Sequence, residues 1–329
     1  TLTHELQEII YMLEIFLDLH TLDGSVFAQG ENLALIFRAL FSLFSVPPFN
    51  IPSGLADYTG SAVDAIHRLV ITIVNLFASK YDEQFSPHME QALQVIWVVL
   101  LSRDNTPRYD GLLCTCLQFF AQLAKHIEYS ASICHEEKLT GLVNMIVVNH
   151  TPARQDDIDA VTDDESYLER ELISTANDQV SKRGAIIELI RALMIGNEET
   201  ICRLLWEQIN IFTQRYQSSP TANWTDIETA LVMLVAMGVG TNPTPRDATT
   251  IQYLSSTVVP LLNQFTTTSP PSPLLVISAL KVLATYRHLI PTTAVIPMLR
   301  VLVHYISSDE HIIASYSAYC VSIFVGSEG

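Results

Sequence analysis

The stretch Asp178-Gln-Val-Ser-Lys-Arg-Gly-Ala-Ile-Ile-Glu-Leu-Ile-Arg-Ala-Leu-Met194 decides the fold class. From Arg183 onward its apolar residues are Ile186, Ile187, Leu189, Ile190, Leu193 and Met194. Steps of three and four place them along one side of a helix with 3.6 residues per turn. The same period recurs toward the C-terminus, in Val295, Leu299, Leu302 and Ile306. Start and stop signals cut the chain into many such segments. Ser86-Pro87 sets a capping hydroxyl before a proline whose fixed φ suits a first helical turn. Thr225 with Glu228, and Ser307 with Glu310, have the spacing of a capping box. Pro291 ends a helix running through Leu283 and Arg287, and the next begins near Thr293. The chain is expected to hold about fifteen helices, each of about 12–20 residues, joined by short connections. No segment alternates with period two for long enough to propose a sheet.

Helices of similar length joined by short turns form either a bundle or an α-solenoid. Their pairing favours the solenoid, because a HEAT or armadillo pair occupies about 40–47 residues, which gives about seven or eight pairs here. Second helices of HEAT units often begin Asp-x-x-x-(Val/Ile/Lys)-Arg-x-x-Ala. Asp178 with Lys182, Arg183 and Ala185 approximates that pattern, and Asp309 with Ile313, Ser315 and Ala318 does so more loosely. The acid near one helix start can reach a base in the adjacent repeat, and the small residue lets the helices approach. The expectation is an all-α fold, a right-handed α-solenoid of HEAT repeats over residues 1–329.

Charge narrows the partners. Asp and Glu number 35 against 18 Lys and Arg, a formal net charge of −17 in 329 residues. Nucleic acid and anionic membranes are themselves polyanions, so neither is an expected partner. A protein with a basic surface fits better. The longest apolar runs, Leu69–Ala78 and Leu231–Val239, are half what a membrane-spanning helix needs and read as buried helix faces. Thr1-Leu2-Thr3-His4 lacks the features of a signal peptide and reads as the start of an amphipathic helix, as if cut from a longer protein. Cys114, Cys116, Cys134, Cys202 and Cys320 are odd in number and sit mostly among apolar neighbours, the pattern of reduced intracellular thiols. The sequons Asn149-His150-Thr151 and Asn223-Trp224-Thr225 therefore carry little weight.

One segment breaks the helical rhythm. Residues 150–165 hold Asp156, Asp157, Asp159, Asp163, Asp164 and Glu165, with Arg154 the only base. A connection of that length is either a solvated loop or a functional element. Read as functional, it is an acidic docking or latch element inserted in the solenoid. Lys182 and Arg183, the one adjacent basic pair, join it as partner-binding or latch candidates. Catalytic and metal chemistry find little footing. Cys114-Thr-Cys116 lies on a helix, where residues two apart point about 200° apart and do not chelate one ion. Cys134-His135 has no further ligands nearby. No nucleophile elbow, phosphate loop or dinucleotide fingerprint occurs. No enzyme, cofactor or metal is expected.

Lys80-Tyr-Asp-Glu-Gln-Phe85 continues to Ile96-Trp97, and Arg108-Tyr109-Asp110-x-Leu112-Leu113 looks like the next helix start. With further stretches, in chain order from about residue 80 to 324, these resemble the importin-alpha re-exporter (exportin-2) family of the importin-beta, or karyopherin, superfamily. Ile146-Val-Val-Asn149 up to Arg154, the acidic run and Glu165-Ser-Tyr167-Leu-Glu-Arg170-Glu-Leu172 resemble the family's acidic insert and its Tyr-Ile-Arg-Arg-Asp-Leu element. Lys182-Arg183 with Glu188-Leu-Ile-Arg191-Ala-Leu193 resembles the Arg-rich helix that follows. Asn223-Trp224 with Glu228 and Ala230, then Pro273, Lys281, Tyr286, Arg287 and Pro291, then Tyr316-Ser-Ala318, match later elements. Glu169 and Gly184 stand where the family usually has Arg, and Thr225 and Ile227 where it has Lys. Residues 1–79 match poorly, and near Phe49–Ala62 a family helix is replaced by a shorter run.

The resemblance implies a nuclear export receptor, a monomer that shuttles between nucleus and cytoplasm through the nuclear pore. Such a receptor binds importin-alpha cooperatively with Ran-GTP inside a HEAT superhelix. It also implies that this chain is a middle segment, with the main Ran-binding repeats outside it. Two rival readings stay open: a HEAT scaffold or adaptor of another kind, such as a phosphatase scaffold, and the helical domain of a larger enzyme.

Overall fold

A computed structural model describes residues 2–23, 31–45, 56–161, 181–238 and 247–326. Among these every regular element is helical, and eleven α-helices are 12 residues or longer. The chain divides into two compact units. One is Thr1–His150 with Ser181–Asn197, and the other is Thr151–Val180 with Glu198–Gly329.

In the first unit each long helix packs on the next. Leu2–Asp23 lies against Ala56–Lys80, Ala56–Lys80 against Asp110–Lys125, and Asp110–Lys125 against Lys182–Met194. A helix covered on two sides must be apolar on two sides. That is why Val70, Ile71, Ile73, Val74 and Phe77 of Ala56–Lys80 are all fully buried. Its stretch Ala62–Lys80 has 19 residues and a mean hydropathy of 1.4, longer than the apolar run read from sequence and enough to pass for a membrane span. Within the unit it is a core helix: Asp64, near its start, is ion-paired to Arg103 and Arg108. Asp110–Lys125 is likewise filled on both sides, by Leu113, Cys116, Leu117, Phe119, Phe120 and Leu123. Phe37 sits among Phe77, Phe85 and His88, with ring centroids 5.3, 5.7 and 4.7 Å away.

In the second unit Glu198–Ser218 packs on Trp224–Met237, which packs on Pro273–Thr285. His311–Gly326 joins Pro273–Thr285 and Thr292–Ile306. Buried tyrosines tie these layers by donating to backbone carbonyls. The Tyr286 hydroxyl reaches the Leu234 oxygen at 2.8 Å, and the Tyr305 hydroxyl reaches that of Leu262 at 2.7 Å. A phenol can bury its ring only if its hydroxyl finds such a partner.

The helix read from residues 183–194 runs over Lys182–Met194 and buries Ala185, Ile186, Leu189, Ile190, Leu193 and Met194. Its N-cap is Ser181, whose hydroxyl accepts from the Gly184 N–H at 3.1 Å. Beyond its C-terminus Gly196 adopts φ 82°, a left-handed conformation that favours a residue without Cβ. Three boundary readings are corrected. The Trp224–Met237 helix is preceded by Asn223, not Thr225, and Glu228 lies in the core. Ser307 closes Thr292–Ile306 instead of opening a helix, and it is the Ser308 hydroxyl that accepts from the Glu310 N–H. Ser86-Pro87 opens only a turn of 3-10 helix. The Ser-Pro helix start is found at Ser272-Pro273, where the serine hydroxyl accepts from the Leu274 N–H. Two helical stretches pass through a π-helical segment, Leu142–Val147 and Leu254–Val258.

Candidate partner-binding surface

The acidic segment begins after buried His150 and Thr151. Sequence reading left residues 150–165 without helical period. The structure folds Gln155–Ala160 into a short helix. The cause is local: the Asp157 carboxylate accepts from the Arg154 backbone N–H at 2.8 Å, satisfying a donor at the helix start. The Arg154 guanidinium lies 3.6 Å from the same carboxylate, and the Gln155 amide donates to Asp159 at 2.8 Å. Val161, fully buried, anchors the end of the turn. Asp156 and Asp159 are exposed, whereas Asp157 is partly covered. Asp163, Asp164 and Glu165 lie outside the described residues.

Lys182, a partner-binding or latch candidate by sequence, does not offer its ammonium to a partner at the surface. Its side chain is buried, donates to the Asn105 amide oxygen and lies 3.8 Å from the Asp110 carboxylate. Asp178, the acid expected to reach a base in the adjacent repeat, lies outside the described residues; an acid–base contact between packed helices is made here by Asp110, at the start of the Asp110–Lys125 helix. On the same helix pair, Lys125 at the end of Asp110–Lys125 reaches Glu188, midway along Lys182–Met194, at 2.8 Å. Arg183 is half-buried beside it on the helix start.

The loop that holds Asn105 carries a second cluster. Arg103 and Arg108 converge on the two oxygens of Asp64, at 3.3 and 3.2 Å, and both guanidinium groups stack on the Tyr109 ring. Sequence reading used Arg108 and Tyr109 only as a motif; the partner Asp64 is 44 residues away and nothing local marks it. His67, one turn beyond Asp64, is buried against Phe44. Burial first, then Arg103, hold its imidazole below the ordinary histidine value, against the opposing pull of Asp64 and the Leu43 backbone. In the second unit Glu228 is fully buried and its carboxylate accepts from Ser278 at 2.7 Å.

None of this is catalytic geometry. Among the described residues no three of His, Cys, Asp and Glu converge on a point a metal could occupy. The cysteines form no disulfide. Burial pushes the Cys320 thiol up to about 12 and raises Cys116 further, so neither is a thiolate nucleophile at neutral pH.

The family model that matches is Cse1, and it covers residues 1–321. The chain belongs to the Cse1 family. The match includes residues 1–79, which sequence reading had found poorly similar. Among curated relatives, the "Importin alpha re-exporter" of Saccharomyces cerevisiae is 22% identical over 254 residues, which cover 76% of this chain and 26% of the relative. "Exportin-2" of Dictyostelium discoideum is 24% identical over 320 residues, 94% of this chain and 33% of the relative. The solved structure titled "The exportin Cse1 in its cargo-free, cytoplasmic state" superposes with a TM-score of 0.81 at 19% identity, over 98% of this chain and 35% of that one. The all-α solenoid expected from the sequence is thus the fold of that exportin. The chain spans about a quarter to a third of the length of the curated relatives it matches.

Proposed function

We propose that this chain is part of a nuclear export receptor that binds importin-alpha cooperatively with Ran-GTP and shuttles between nucleus and cytoplasm. Membership of the Cse1 family over residues 1–321 carries the reading. A helical stack suits the task because its many small inter-helix contacts let it flex between an open and a wrapped state. If both ligands add contacts only in the wrapped state, each raises affinity for the other by the same factor. The net charge of −17 favours basic surface on the ligands. In this reading Asp156, Asp157, Asp159, Asp163, Asp164 and Glu165 form an acidic docking or latch element, with Arg183 as a partner-binding or latch residue and Lys182 as an internal clamp. The test is capture of importin-alpha by the full-length polypeptide, with and without GTP-loaded Ran. Retention that rises when both ligands are present is the expected result. No retention under either condition would defeat the reading and return the chain to the scaffold class.

A further inference from the structure

Residues 102–109 join Met89–Leu101 to Asp110–Lys125 and carry Thr106-Pro107 between two arginines, Arg103 and Arg108. A proline pushes the residue before it away from the helical region, and Thr106 is extended, at φ −93° and ψ 146°. Thr106 is exposed. Asp104, exposed as well, accepts from its hydroxyl at 2.7 Å and from its N–H at 3.2 Å. The helix that follows packs on Ala56–Lys80 and on Lys182–Met194. Both neighbouring layers of this helix therefore come from the chain itself, and neither covers the threonine.

The other Ser-Pro and Thr-Pro pairs differ from this one. Thr151 and Ser272 are buried. Ser86 is helical, at φ −46° and ψ −42°. Ser219 and Ser269 are exposed, but the base nearest Ser219 in sequence, Arg215, lies over the Phe212 ring, and residues 259–279 around Ser269 contain neither Lys nor Arg. Thr244 lies outside the described residues. Thr106 joins an open hydroxyl, an extended backbone, a following proline and two guanidinium groups held in its own loop.

We infer that Thr106 is a phosphorylation site for a proline-directed serine/threonine kinase, and that Arg108 holds the phosphate. The Thr106 oxygen attacks the terminal phosphorus of ATP. The new O–P bond forms as the bond to the β–γ bridging oxygen breaks, ADP leaves, and the hydroxyl proton passes to the kinase's base. The bond to Asp104 is then lost, because its proton is gone and two anions face each other, so the phosphate turns toward a guanidinium. Arg108 is the one free to move: its side chain is 50% exposed, against 20% for Arg103. When it leaves Asp64, that carboxylate keeps Arg103. Residues 102–109 hold Arg103 and Arg108 against Asp104. A phosphate brings about −1.5 to −2 charges at neutral pH, so the loop passes from cationic to anionic. Modification thereby strengthens contact with a basic surface and weakens contact with an acidic one. The inference does not depend on the export reading.

Labelling of the full chain by a purified cyclin-dependent kinase with ATP, followed by peptide mapping in a mass spectrometer, tests the site. Thr106 should be modified close to stoichiometrically, and Thr106→Ala should lose most of the incorporated phosphate while its circular dichroism stays helical. Phosphorus NMR of the modified chain tests the role of Arg108. The second ionisation of a phosphothreonine lies near pH 6; the guanidinium should hold it below about 5.5, and Arg108→Gln should return it toward 6. Phosphate found only at other Ser-Pro or Thr-Pro pairs overturns the site. So does a native chain that stays unlabelled while a peptide of residues 99–113 is labelled, since the folded loop then withholds the hydroxyl. An unlabelled peptide overturns it as well, by showing that the sequence is no substrate. An ionisation near 6 that ignores Arg108→Gln overturns the assignment of Arg108.

Discussion

At Lys182 a single ammonium is held away from water by Asn105 and Asp110. A buried charge in that position is more expensive to strand than to replace. Lys182→Met, which keeps the volume and removes the charge, should therefore change unfolding free energy less than Asp110→Ala, which removes the carboxylate facing the buried ammonium at a cost of about 1–3 kcal/mol. Urea titration of both variants checks the order. Glu228 gives the complementary case. Ser278→Ala leaves its buried carboxylate short of a donor and should cost about 1.5–3 kcal/mol in the same assay. Protons add a further test. His67 in the folded chain lies below its ordinary value, so the unfolded chain binds the proton first as pH falls. Stability from this group is complete above about pH 6.5, the model-peptide value, and is lost as pH drops toward the folded value. His67→Leu should flatten that part of a stability-versus-pH profile. At the alkaline end burial pushes the Tyr253 phenol up to about 12, where Thr213 shares a 2.7 Å hydrogen bond with it. Here the unfolded chain loses its proton first, so stability should decline as pH rises from about 10 toward 12.

Elements show which features the sequence made legible. Lys182–Met194 was readable because one side of it is apolar and the other is not. The short Gln155–Ala160 helix was not, since within it only Ile158 and Ala160 are apolar and its start rests on a bond that the Asp157 side chain accepts. Spacing alone misled at Thr225 and Glu228: a capping box and a buried glutamate look identical in sequence, and only the helix packed opposite decides. The acidic helix yields a prediction. Asp157→Ala should remove its starting bond and cost about 1 kcal/mol, while Asp156→Asn and Asp159→Asn stay within about 0.5 kcal/mol. If the segment contacts ligand, the latter pair should still reduce the salt dependence of importin-alpha binding by the full-length receptor. An unchanged salt slope would make it a solvated surface only. Close packing sets another limit at Gly238, where a Cβ would overlap the Thr285 side chain from the neighbouring helix. Gly238→Ala should destabilise by about 1–3 kcal/mol, and Thr285→Ala should recover much of the loss in a double-mutant cycle.

For the molecule as a whole, stability is a sum over neighbouring helices, so loss of one unit need not unfold the other. The tryptophans report this separately, Trp97 from the first unit and Trp206 and Trp224 from the second. Fluorescence of a Trp97→Phe variant should follow a urea transition that does not coincide with the circular dichroism of the whole chain. Coincident single transitions would mean that the two units unfold as one. The all-α solenoid class was legible at this scale from helical period and pairing, but helix number was not: about fifteen helices of about 12–20 residues were expected, and among the described residues eleven are 12 or longer. The division into two units was not, because residues 181–197 join the first unit across a long stretch of chain that belongs to the second.

The π-helical segments have a consequence for how such a chain tolerates changes in length. A π turn is an α-helix with one residue too many, bulged outward so that the helix on either side keeps its phase. Deleting exposed Met145 from Leu142–Val147, or exposed Ser256 from Leu254–Val258, should let the bulge close into plain α-helix with Ile146 and Val258 still facing inward. The same deletion within Lys182–Met194 would rotate everything beyond it by about 100° and turn Leu189 and Leu193 toward water. Single-residue gaps between related chains should therefore gather at these two bulges, which act as expansion joints in helices that otherwise admit no slack.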